Sequence, residues 1–110
     1  MNLKKHILGL MALWLSMPLW ARTEQTVNYR CEAVYQPARS VWVRSVDLAH
    51  DGNKITEVRI DGVPVYSFNV HGPQVLTALD NERIVFDAQR LSWESDWRGV
   101  MQSSGRCERE

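Results

Sequence analysis

The side chains able to do chemistry in this chain fall into four groups, and their spacing decides what each could support. Asp47, His50 and Asp51 lie within five positions and carry the donor types of a metal site, but not at a recognised ligand spacing. Asp80, Glu82 and Asp87 are oxygen donors without the spacing of a known calcium loop. Ser103-Ser104-Gly105 offers hydroxyls, yet the chain holds no G-x-S-x-G elbow for a serine nucleophile, and the segment reads as a turn. Cys31 and Cys107 are 76 positions apart, which suits neither a C-x-x-C redox pair nor a four-ligand zinc cluster. They read instead as one structural disulfide closing most of the chain into a loop. No catalytic residue, metal ligand or cofactor is assigned.

Binding has more support. Trp42, Trp93 and Trp97, with Tyr29, Tyr35, Tyr66, Phe68 and Phe86, are many rings for a short chain, and exposed rings anchor protein interfaces or stack on sugars. Trp93 and Trp97 fall on the apolar face of their strand and are expected in the core. Trp42 shares its face with Arg44, so Trp42, Arg44, Tyr66 and Arg98 are taken as the candidate binding surface.

Residues 1–21 have the layout of a secretory signal: Lys4 and Lys5, an apolar run over Ile7–Leu15, then Pro18 and a small residue at Ala21. The apolar run is about half the ~20 residues that span a bilayer, so no stable membrane anchor is expected once the signal is cut. Residues 22–110 are expected to form one exported β domain, periplasmic or secreted. That portion carries eleven basic and thirteen acidic side chains, a formal charge of −2, which gives no ground for a nucleic-acid partner. Ten of its eleven basic residues are Arg, suited to salt-bridged strands or to gripping a carboxylate-bearing partner.

These residues must be positioned by strands. Period-two alternation between turn signals predicts six or seven short strands, forming a small antiparallel β-sandwich or barrel with one disulfide. Strands are expected near 26–35, 41–48, 54–60, 63–70 and 84–88, with 75–79 either a strand or a single turn. A last strand is expected to run from Leu91 through Met101. Asp61-Gly62 is a two-residue hairpin signal that pairs Ile60 with Val63, Val58 with Val65 and Ile55 with Phe68.

An exported β domain with Tyr29-Arg30-Cys31 near its start and a second cysteine near its end resembles the periplasmic inhibitors of C-type lysozyme. The resemblance implies a small antiparallel barrel that inserts a loop into an enzyme cleft. Ser104-Gly105 is followed by Arg106-Cys107-Glu108 rather than by that family's Ser-Gly-x-x-Tyr, so no functional residue is carried over. The expectation is a binding or inhibitor-type module of the cell envelope. Its partner would be an envelope protein, such as a hydrolase of the lysozyme kind, or a glycan. The alternatives are a small hydrolase or metal-dependent enzyme using Asp and His at turns, and a purely structural envelope protein.

Overall fold

Inward-facing apolar residues at every second position bring each strand of this chain back against the one before it. The computed structural model describes residues 24–110, and the expected signal segment, residues 1–21, lies outside them. Nine antiparallel strands follow one another: β1 Glu24–Gln36, β2 Ser40–Asp51, β3 Lys54–Ile60, β4 Val63–Val65, β5 Phe68–His71, β6 Gln74–Leu79, β7 Glu82–Asp87, β8 Ser92–Trp97 and β9 Met101–Arg109. They form one sheet in the order β4-β3-β2-β1-β9-β8-β7-β6-β5, a meander in which β9 returns to pair with β1. The sheet is a nearly closed barrel rather than a sandwich.

The remaining gap lies between β4 and β5, and one stretch of chain spans it. β4 pairs with β3, whereas β5, two residues further on, pairs with β6. Both run in the same direction, so residues 63–71 act as one bent strand that changes partners at Tyr66-Ser67. The Thr77 hydroxyl donates to the Ser67 carbonyl (2.8 Å) at this bend.

The strand count exceeds the expected six or seven for three local reasons. The partner change splits the expected 63–70 strand, so Phe68 opposes Thr77 and the expected Ile55–Phe68 pair is not made. Residues 74–79 are a strand, not a turn. The expected last strand is two, β8 and β9, joined at Arg98-Gly99-Val100. A three-residue turn keeps Trp97 and Met101 on the same parity, so the alternation reads through it unbroken. Ser103-Ser104-Gly105, expected as a turn, therefore lies within β9.

The Asp61-Gly62 hairpin has the expected register, Ile60 opposite Val63 and Val58 opposite Val65. Both turn residues have positive φ (53° and 79°), the backbone of a type I′ turn, which Asp and Gly tolerate. Gly105 is required for a different reason. It faces Ala33 across the β1–β9 ladder, and a Cβ there would stand 1.7 Å from the Glu32 carbonyl oxygen.

Cys31 and Cys107 are directly opposed in that ladder and joined by the disulfide. The bond locks the two strands whose pairing closes the meander, and it places the chain in a non-reducing environment. The interior below it is apolar, with Trp93, Phe86, Leu48, Ile60 and Ile84 almost wholly shielded and the Tyr29 and Phe86 rings 4.7 Å apart. Trp97, expected in the core, is only half-buried at the rim, so Trp93 alone of the two fills the interior.

Candidate functional site: the polar mouth of the barrel and its apolar rim

Four turns gather at one end of the barrel: residues 37–39, Asp61-Gly62, Asp80-Asn81 and Arg98-Gly99-Val100. Inside this mouth the alternation brings polar side chains inward. Nearer the mouth than Val46 on the inner face of β2 stands Arg44, nearer than Ile84 and Phe86 on β7 stands Glu82, and Ser95 and Ser103 take inner positions after Trp93 on β8 and Met101 on β9.

These residues form one connected network. The Tyr35 hydroxyl donates to Glu82 Oε2 (2.5 Å), and Arg44 Nη1 donates to Glu82 Oε1 (2.8 Å) and to the Tyr35 oxygen. Arg44 Nε donates to Asp61 Oδ2 at 2.7 Å. The Ser95 hydroxyl donates to Glu82 Oε2 (2.6 Å). With the Ser95 proton so used, the Ser103 hydroxyl donates to Ser95 and accepts from the Trp93 indole N–H at 2.9 Å. The Arg44 guanidinium also lies 4.8 Å from the centre of the Trp93 ring, a cation–π contact. Among the described residues no buried side-chain polar atom lacks a partner, which is the condition for burying such a network without large cost.

Burial works against the charge on Glu82, but hydrogen bonds from Ser95, Tyr35 and Arg44 outweigh it and hold the carboxyl below its ordinary 4.5. Burial pushes the Tyr35 hydroxyl above its ordinary 10.0, and its bond to Glu82 adds to the rise. Burial also opposes the Arg44 charge, yet Glu82 and Asp61 keep the guanidinium protonated more firmly than usual. One cation thus meets two carboxylates. Arg44 is a salt-bridged strand residue whose charge is already compensated, which weakens any grip on a partner's carboxylate.

Asp61 has a second task. Its N–H donates to the Ser45 carbonyl and its Oδ1 accepts from the Ser45 N–H, both at 3.0 Å, so it closes the β2–β3 ladder. Beyond that point β2 continues from Ser45 back to Ser40 with β1 on one side and, among the described residues, no strand on the other. This projecting stretch exposes Val41, Trp42 and Val43 at 61, 62 and 54 %. With Tyr35, Arg44, Asp61 and Met101, Trp42 and Val43 line an open groove of about 500 Å³.

Of the expected surface residues, Trp42 and Arg44 meet in this groove. Tyr66 stands almost fully exposed at the bend between β4 and β5, beside Phe68 and Leu76. Arg98 lies at the β8–β9 turn with its guanidinium 5.6 Å from the Trp97 ring centre, in a third depression with Asn81 and Asp96. The four therefore do not line one groove. Tyr35, Asp61, Glu82 and Ser103 were read from sequence in other roles, as a ring, a turn residue, an oxygen donor and a turn hydroxyl, and neither they nor Ser95 were expected to meet Arg44. Their signal was polar identity on an apolar parity, as in Glu82 two and four positions before Ile84 and Phe86.

The residues weighed for metal binding do not converge. His50 and Asp47 point to opposite faces of β2 by strand alternation. Glu82 is inside the barrel, and Asp87 Oδ1 caps a turn by accepting from the N–H groups of Gln89 and Arg90 (2.9 and 2.8 Å). Among the described residues no three His, Cys, Asp or Glu side chains gather as a metal site. Comparison of the chain with family models, with curated proteins and with solved structures found no match.

Proposed function

We propose that this protein is an exported binding module that takes a protein partner of the cell envelope at the barrel mouth. The carrying observation is the projecting β1–β2 ribbon, which exposes Val41, Trp42 and Val43 on a base fixed by the Arg44–Asp61–Glu82–Tyr35 network. An indole held on a preorganised base loses little freedom on docking, which is what a binding hot spot needs. The disulfide and the export signal read in residues 1–21 support a periplasmic or secreted setting. Because Arg44 is already neutralised, the contact rests on apolar surface rather than on charge.

Affinity capture of envelope extract on the oxidised protein tests this reading. One stoichiometric partner is expected to be retained in moderate salt and lost from a Trp42→Ala bait whose melting temperature is unchanged. Retention indifferent to Trp42 contradicts the assignment of the rim.

A further inference from the structure

Among the described residues, the projecting half of β2 leaves backbone groups as well as side chains without a partner. Ser45 directs its N–H and C=O toward Asp61, on the β3 side. Backbone groups of an antiparallel strand alternate sides residue by residue. Val43 and Val41 therefore direct theirs to that same side, where β3 has already ended at Ile60, while Trp42 and Arg44 turn theirs to β1. The edge thus presents two donors and two acceptors within an exposed Val-Trp-Val run.

We propose that this edge pairs with the same edge of a second copy, antiparallel and two-fold about Trp42. The proposal rests on the rim being a contact surface and names one occupant for it. Sequence symmetry and hydrogen-bond parity select the register. With Trp42 opposite Trp42, Val41 of each copy faces Val43 of the other, and each of those pairs exchanges two backbone hydrogen bonds. All the free groups on both edges are then used. Centring the pair on Val43 would set Val41 against Ser45, whose groups Asp61 already holds. A shift that sets Trp42 against Val43 would face groups already bonded to β1.

In the Trp42-centred register the two indoles occupy the close, non-hydrogen-bonded position where side chains of paired strands meet. Asp61 bounds the edge at Ser45, and Arg39, exposed in the turn before β2, is carried toward that half-exposed carboxylate of the other copy, an opposite charge at each end of the contact. The interface is isologous, so it closes as a dimer rather than growing into a filament. Three apolar side chains per copy are far fewer than a standard interface contains, and the association is weak and reversible.

Sedimentation velocity of the oxidised protein, from micromolar to millimolar concentration, reads the prediction directly. A monomer–dimer equilibrium is expected. Val43→Pro removes a donor that faces solvent in the monomer, where an edge strand tolerates proline. It is expected to weaken the dimer at least about tenfold with the melting temperature kept, because two of the four inter-copy bonds go. Should proline disturb the fold, Val43→Lys blunts the same edge by charge and is expected to act alike. A monomer throughout, or a dimer indifferent to both variants, overturns the pairing. If no dimer forms while Trp42→Ala still abolishes partner capture, the pairing is wrong and the binding reading stands. A dimer that behaves as described beside capture indifferent to Trp42 gives the reverse.

Discussion

Inward positions on the same strands are filled on different principles at the two ends of this barrel. Away from the mouth β1 contributes Tyr29, β2 Val46 and Leu48, β7 Ile84 and Phe86, and these pack as an apolar core. Toward the mouth the same strands contribute Tyr35, Arg44 and Glu82, which satisfy one another through hydrogen bonds. Apolar burial stabilises in proportion to area removed from water. A buried charge network gains little net free energy, since desolvation offsets its Coulomb attraction. The lower half therefore supplies stability, and the mouth supplies order: it fixes where the β1–β2 ribbon stands.

The seam between β1 and β9 tests the stability side of that contrast most severely. Gly105→Ala puts a methyl carbon into the Glu32 carbonyl, so the ladder must separate beside the disulfide. The expected cost is more than about 4 kcal/mol, seen as failure to recover folded protein or as the largest fall in melting temperature of any single change. Cys31→Ser, or reduction, follows. The loop it closes is nearly the whole described chain, worth about 4–5 kcal/mol on a chain-entropy account. Calorimetry of oxidised and reduced protein measures it, and a negligible change would remove the disulfide from the account.

The mouth is expected to respond less in stability and more in pH dependence. Glu82→Gln leaves the shape and removes one charge, and should cost about 2–3 kcal/mol near neutral pH. The Glu82 carboxyl sits below 4.5 in the fold, so its contribution is complete above that value and fades as the pH falls through the folded pKa. The Tyr35 hydroxyl is raised above 10.0, so the unfolded chain ionises first and stability falls as pH climbs past 10. Urea titrations should show a plateau between these limits. The variant should show a shallower acid slope, since Asp87, lowered by the N–H groups of Arg90 and Gln89, still contributes, and should keep the alkaline one; an unchanged acid slope would mean that Glu82 is not a group responsible.

Much of this fold was legible in the chain because period-two alternation and turn chemistry are local signals. Lys54–Ile60 and the Asp61-Gly62 hairpin lie where those signals set them. The strand count was not legible, since a three-residue turn preserves parity at Arg98-Gly99-Val100, and the change of partner at Tyr66-Ser67 depends on closure of the whole barrel. The site was half legible. Trp42 and Arg44 were found as neighbours on one face, but Asp61 reaches Arg44 through the β2–β3 pairing, across 17 positions of chain, and Glu82 only through closure of the sheet, across 38. That closure converts an apparent free cation into a compensated one.

Amide hydrogen exchange of the oxidised protein, wild type against Glu82→Gln, tests the division of labour most directly. Trp42 and Arg44 bond to β1 within the ribbon, whereas Leu48 and Val58 lie in the apolar half. If the mouth network exists to hold the ribbon, exchange at Trp42 and Arg44 accelerates in the variant well beyond the change at Leu48 and Val58. Equal acceleration at all four, or an untouched ribbon, would show that the network serves the whole barrel or nothing, and the contrast between its two ends would be wrong.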